Sequence, residues 1–338
     1  MEIFESIVCP ASDEHPRNSE ASMVALAGGR LLLAWSDFSG DSSDFAQARI
    51  SAKVSSDGGR TWGAAFPMRE NVGKMNVYPP GFLRLHSGEI GLSYGIKDSQ
   101  RSLRPHFVRS ADEGATWTDP VCMVQGLGHF ELDNDRLIQT RGGLLIAPMS
   151  WSLDVLAEGV NFKAFCSISE DNGHTWRQGK GQMEVPGLGA DEPTVLELVD
   201  GRILMFARTD QGCIYQSWSE DGGETWTQSE PTPLVSPGIA PVSLKRIQTT
   251  GDILVVWNRG DNRNPITAAL SRDEALSWEH FRDIDHKQDE SYAYPSIAFV
   301  GDEVLITYYT RHQKTFGHLS LKLKIIPLAW FYQDEGAV

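Results

Sequence analysis

One eight-residue pattern, Ser-x-Asp-x-Gly-x-Thr-Trp, recurs along this 338-residue chain and limits its folding more than any other feature. Its first copy is Ser55-Ser56-Asp57-Gly58-Gly59-Arg60-Thr61-Trp62; further copies start at Ser110, Ser169 and Ser219, and a fifth runs from Ser271 to Trp278 with Ala275 in the glycine position. The starts lie 50 to 59 residues apart, too long a period for a solenoid coil and suited to a four-stranded propeller blade. Each copy has the chemistry of a hairpin turn: Asp accepts from backbone N–H groups, Gly takes a positive φ, and Trp packs the turn against a neighbouring strand. The fifth turn is expected to differ, because Ala275 lacks glycine's conformational freedom.

A second element, Gly followed by an apolar run, begins at Gly29, Gly88, Gly143, Gly201, Gly251 and Gly301. Each reads as a turn feeding a buried strand. Six such units in 338 residues average about 56 residues each, the spacing of the first pattern. The expectation is an all-β, six-bladed β-propeller forming a single domain over residues 1–338, its last blade closed by Ile3 to Val8 pairing beside the Phe316 to Ile326 segment.

Charge narrows the function. Thirty basic and 45 acidic side chains give a net charge of −15, with no Lys/Arg-rich run, which argues against nucleic-acid or anionic-membrane partners. No stretch approaches the roughly 18 apolar residues of a membrane span, and Met1 to Pro10 lacks a basic stretch followed by an apolar run. A cytoplasmic location is the resulting expectation, with Cys9, Cys122, Cys166 and Cys213 as separate thiols. His15, His106 and His129 have no metal-ligand spacing, so neither a metal nor a cofactor is expected.

Propeller sites form at one end of the central channel, from residues scattered at matching blade phase. Arg17, Glu192, Arg208, Arg263 and Tyr294 have that distribution, and Asp37, Asp41 and Asp44 precede the first box. In this order, with the five Asp boxes and six Gly-apolar strands, the residues resemble the sialidase (neuraminidase) superfamily across nearly the full chain. The resemblance implies that Arg17, Arg208 and Arg263 grip a substrate carboxylate, that Asp44 is the acid/base, and that Tyr294, paired with Glu192, is the nucleophile. Asn18 and Ser19 stand where that family's first arginine is followed by Ile-Pro, and Pro295 follows the tyrosine where Ser is commoner.

The chemistry is coherent on physical grounds. Converging guanidiniums bind a carboxylate through charge-assisted, bidentate hydrogen bonds that lysine cannot reproduce. A carboxylate on the anomeric carbon would repel an Asp or Glu nucleophile, whereas a phenol deprotonated by a neighbouring Glu attacks without that penalty. The expected substrate is an acidic sugar or glycoconjugate, cleaved by an exo-acting glycoside hydrolase with retention. A hydrolase or lyase acting on a different acidic glycan, or a glycan-binding propeller without catalysis, are the alternatives. Three further features bear on the pocket. Glu20 competes for Arg17. Arg136, in Asn134-Asp135-Arg136, is either an added anion contact or a partner of Asp135. Arg246, after Lys245, is a rival third arginine.

Overall fold

The computed structural model describes residues 2–314 and 317–333, and it is a β-propeller with only short 3₁₀ turns beside its strands. Four blades are separate four-stranded antiparallel sheets. The first runs Arg17–Ala25, Leu31–Ser39, Gln47–Ser55 and Phe66–Arg69. Two more consist of Asp191–Glu197, Ile203–Arg208, Cys213–Ser219 and Glu230–Val235, and of Ser243–Arg246, Ile253–Asn258, Ile266–Ser271 and Glu279–Asp285. In the last, Glu290–Val300, Glu303–His312 and Ser320–Pro327 are completed by Phe4–Cys9, with Phe4 opposite Ile325 and Cys9 opposite Leu321. The N-terminal strand thus pairs where expected, although Phe316 lies outside the described residues.

Between the first and second of these blades in chain order lies a nine-stranded sheet. It contains two antiparallel runs, one built on Asn76–Arg84, Ile90–Ser99 and Ser102–Ser110 and the other on His129–Glu131, Leu145–Ser152 and Lys163–Ser169. One parallel contact, His129 opposite Leu103, joins them.

Burial explains the strand sequences. In Leu31–Ser39, the second strand of its sheet, every residue except Ser39 is buried, so the Gly-apolar runs lack polar alternation. Outer strands such as Glu230–Val235 alternate exposed and buried positions. The apolar core is divided among the spaces between neighbouring sheets, for example where Leu31, Leu33 and Trp35 meet Leu305, Leu323 and Ile325.

The five repeated turns share one hydrogen-bond pattern. In the first, the Gly59 N–H donates to Ser55 Oγ at 2.9 Å, the Thr61 N–H to Asp57 Oδ1 at 2.9 Å, and the Thr61 hydroxyl to Asp57 Oδ2 at 2.5 Å. The fifth turn corrects the sequence expectation. Ala275 adopts φ 69°, its N–H donates to Ser271 Oγ at 2.9 Å, and Ser277 bonds Asp273 as Thr61 bonds Asp57. The side-chain hydrogen bonds hold the turn, so alanine is forced into the left-handed region instead of changing the loop.

Each turn leans on the preceding blade. A Cβ at Gly173 would meet the Phe107 ring at 2.2 Å, whereas one at Gly223 would approach Cys166 no closer than 3.4 Å. Polar latches add to this packing, and in the first turn Arg60 pairs with Glu303 at 2.6 Å. Glu113 accepts from the Ala27 N–H and from Arg84, Glu274 accepts from the Val199 N–H and from Arg246, and Asn172 donates to Ser87 and Glu89.

Two outcomes follow from this geometry. Gly173→Ala combines a left-handed alanine, about 1–2 kcal/mol, with overpacking against Phe107, about 1–3 kcal/mol, and is expected to destabilise by roughly 2–5 kcal/mol. Gly223→Ala incurs only the backbone part, and urea denaturation of both variants separates the two contributions. The hydrogen bonds from Thr61 pull the Asp57 carboxyl down to about 2, and the corresponding bonds also lower the other four turn aspartates. Because the folded value lies below the unfolded one, their stabilisation is complete above the ordinary carboxylate range and is lost as pH falls through it. The melting temperature of the parent should therefore drop more steeply in acid than that of a Thr61→Ala variant.

Candidate active site

The site is built on strained backbone. Glu20, Glu192 and Tyr294 have φ values of 40°, 42° and 57°, and each lies within a register shift of an inner strand, between Ser19 and Ser22, Asp191 and Thr194, and Ala293 and Ser296. A bulge at the same phase of three blades turns these side chains out of strand alternation. Such conformations persist only where surroundings over-determine them. For Glu20 and Tyr294 the tripeptide Asn134–Arg136 does so: Asn134 Nδ2 donates to the Ala21 carbonyl at 2.7 Å and to the Tyr294 carbonyl at 3.4 Å. Asp135 Oδ2 accepts from the Ser296 hydroxyl at 2.9 Å and the Ile297 N–H at 3.1 Å, while Oδ1 pairs with Lys245 at 3.0 Å.

A pocket of about 240 Å³ opens above these bulges, small enough to hold one compact ring. Arg17, Glu20, Asp44, Asp191, Glu192, Arg208 and Tyr294 line it. Arg17 lies over the Phe38 ring at 4.3 Å and donates to Asp44 Oδ1 and Glu20 Oε1, each at 2.6 Å. Arg208 donates to Asp191 Oδ2 from Nε at 3.2 Å and Nη2 at 2.6 Å. Its Nη1 forms an ion pair with Glu192 Oε2 at 2.7 Å, out of hydrogen-bond alignment. The other Glu192 oxygen accepts the Tyr294 hydroxyl at 2.8 Å. Asp191 is thus a positioning residue, anchored by Ser150 at 2.8 Å and aligning Arg208.

Electrostatics divide the acidic groups by role. Burial raises the proton affinity of Glu192, aided by Asp133 and Asp191 and opposed by Arg208. Burial also pushes the Tyr294 phenol well above its ordinary value, as does Glu192, against Arg208 and Arg263. The phenol therefore keeps its proton at rest, and the raised proton affinity of Glu192 suits that side chain to receive it. Crowding by the pocket raises Asp44, but Arg17 more than offsets this and holds its carboxyl below the usual value. Asp133 is pushed up by burial to about 7, despite Arg136.

Arg263 stands in an adjoining cleft with Tyr309 and Arg311. Its guanidinium is 5.7 Å from the centre of the Tyr294 ring and donates to the Tyr309 hydroxyl and the Ile239 carbonyl, each at 3.1 Å. The chain thus gathers Arg17, Asp44, Glu192, Arg208 and Tyr294 in one pocket, with Arg263 at its edge.

Two expectations are corrected. Arg136 has a fully buried side chain that donates to Ser243 at 2.5 Å and Asp133 at 3.3 Å; it lies beneath the pocket and supports Asp133 instead of contacting a ligand. Nor does it pair with Asp135, which is held by Lys245. Arg246 lies at the far end of Ser243–Arg246, against Glu274 of the fifth turn and in a different cavity, so it is a blade latch. Neither Asp37 nor Asp41 lines the pocket: Asp37 is held by His15, Arg49 and Ser51, and Asp41 accepts from the Ser43 N–H. Sequence reasoning missed Asp191, Lys97, His129, Glu131 and Asp133 as pocket residues. The signal for Asp191 was its place beside Glu192; the others became visible only when strands were paired.

Residues 29–306 match the family described as the BNR repeat-like domain. A sialidase of Paraclostridium sordellii is 27% identical over 236 residues, covering 62% of this chain and 57% of that protein. The chain spans less than two thirds of the length of the curated relatives it matches. Among solved structures, a protein of unknown function from Dyadobacter fermentans superposes with a TM-score of 0.79 at 17% identity, covering 96% of this chain and 99% of that one. Trypanosoma rangeli sialidase in complex with sialic acid gives 0.76 at 17% identity, over 98% of this chain and 59% of that one. The chain belongs to the BNR repeat-like domain family and, with it, to the sialidase superfamily of β-propellers.

Proposed function

We propose that this protein is an exo-acting, retaining glycoside hydrolase that releases a terminal carboxylated sugar, a sialic acid or a related acidic sugar, from a glycoconjugate. The observation that carries the reading is the Tyr294–Glu192–Arg208 chain of contacts, 2.8 Å and 2.7 Å, in the pocket that also holds Arg17 and Asp44. The architecture we infer with it is a single domain over residues 1–338. The nine-stranded sheet counts as two blades, giving six, and the five repeated turns are its Asp boxes.

Arg17, Arg208 and Arg263 hold the substrate carboxylate and fix the anomeric carbon over the Tyr294 hydroxyl. As the phenolic oxygen bonds to that carbon, its proton passes to Glu192 and Asp44 gives a proton to the departing glycosidic oxygen. Water, deprotonated by Asp44, then attacks the tyrosyl–sugar bond, and Glu192 returns its proton to the phenolate. Two inversions leave the configuration unchanged.

The Arg17–Asp44 contact at 2.6 Å couples binding to acid strength. A substrate carboxylate taking its place on Arg17 removes the interaction that lowers the Asp44 carboxyl, so Asp44 becomes able to hold the proton it must donate.

Tyr294→Phe should lower kcat by at least about 100-fold while leaving affinity for the acidic sugar within about threefold, checked by turnover of a fluorogenic acidic glycoside and by calorimetry. Product NMR tests the class of reaction: the retained anomer is expected, and an unsaturated sugar would indicate elimination. Since Asp44 must be protonated to act and its affinity for that proton rises on binding, the alkaline limb of kcat should lie at higher pH than that of kcat/KM. Coincident limbs would separate Asp44 from the acid role.

A further inference from the structure

On the wall of this pocket formed by Ile90–Ser99 lies Lys97, a cation the proposed mechanism does not use. The residue is only 1% exposed, yet no carboxylate among the described residues is within ion-pair distance of its ammonium group. Among the described residues its one hydrogen bond is a long 3.4 Å contact to the Tyr78 hydroxyl, and the faces of Phe45 and Tyr78 lie at 4.7 and 5.4 Å. Burying an ammonium without a full complement of acceptors is costly, and aromatic faces offset only part of that cost. The same pocket holds Glu131, whose carboxylate accepts from His129 Nε2 at 3.2 Å. His129 Nδ1 is itself buried with no partner among the described residues.

We infer that Lys97 and Glu131 form a hydroxyl-selecting subsite, in which the ammonium donates to, and the carboxylate accepts from, one hydroxyl group of the bound acidic sugar. This deepens the hydrolase reading and rests on it. A hydroxyl suits the pair because it accepts and donates through one oxygen. A second anionic group would satisfy Lys97 but face Glu131 and Asp44, and an alkyl group would leave both charges unsolvated. Apolar parts of the sugar have another wall, formed by Val155, Leu156, Phe162 and Leu188. The arginines therefore fix the carboxylate, while the Lys97–Glu131 pair fixes which edge of the ring is hydroxylated, making both residues specificity-determining.

The test is a panel of fluorogenic glycosides of an acidic sugar, the parent compound and its mono-deoxy derivatives, assayed with the unmodified protein, Lys97→Met and Glu131→Gln. Methionine matches the length of lysine and folds into apolar surroundings, and the Glu131 variant reads the same subsite should Lys97→Met not fold. With the parent glycoside, kcat/KM should fall about 10- to 100-fold in either variant, as expected for losing one charge-assisted hydrogen bond. For one deoxy derivative the unmodified protein should show a similar deficit, and the substitutions should then cost less than about threefold. Equal losses across every glycoside, or none, would overturn the subsite and leave the hydrolase reading standing. If the unmodified protein turns over no member of the panel, and a 2,3-unsaturated analogue of the sugar raises its melting temperature by nothing, the hydrolase reading fails and the subsite with it.

Discussion

Three consecutive residues on the axis hold the working end of this propeller together. Asn134 bonds the backbone of the strands that carry Glu20 and Tyr294, Asp135 bonds Ser296, Ile297 and Lys245, and Arg136 bonds Ser243. All three are buried, and these bonds run to strands of other sheets, while Asn134 Oδ1 and Arg136 Nε have no partner among the described residues. Removing one would leave its partners desolvated and unpaired, a larger loss than the bond itself. Inner strands from three sheets are thereby fixed relative to one another, and the bulges that aim Glu20 and Tyr294 inherit that rigidity, while the Glu192 bulge is held separately through the Ser150–Asp191 bond.

The pocket consequently pairs its charges before any ligand arrives. Arg17 is shared by Glu20 and Asp44, and Arg208 by Asp191 and Glu192. Buried guanidiniums would be too costly without these carboxylates, and buried carboxylates too costly without the guanidiniums. An incoming anion enters an existing balance and needs only to displace the more solvent-exposed partner. Asp44, with 61% of its side chain exposed, is that partner for Arg17, whereas Glu20, at 2%, is not.

How much of this was readable without coordinates depends on where each residue's partners lie. The repeated turns are local, each made from eight consecutive residues, and the sequence pattern described them well. Ala275 is the exception, since the hydrogen bonds accepted by Ser271 and Asp273 override its backbone preference. Glu192 and Arg208 could be placed because they face each other across one hairpin, beside the Asp191–Arg208 register pair. Arg136 and Arg246 could not, since Ser243 and Glu274 decide their roles from 107 and 28 residues away. Lys97 and Glu131 carry no local sequence signal, and only the folding of the nine-stranded sheet brings a buried cation and a carboxylate into one pocket.

The closing strand has a consequence for association. Phe4–Cys9 pairs along the outer edge of Ser320–Pro327, whose Leu321, Leu323 and Ile325 are buried. Lifting it away would bare a row of unpaired amide and carbonyl groups beside apolar side chains, a template on which a second polypeptide could add a strand. One short segment therefore guards against polymerisation while it fastens the ring.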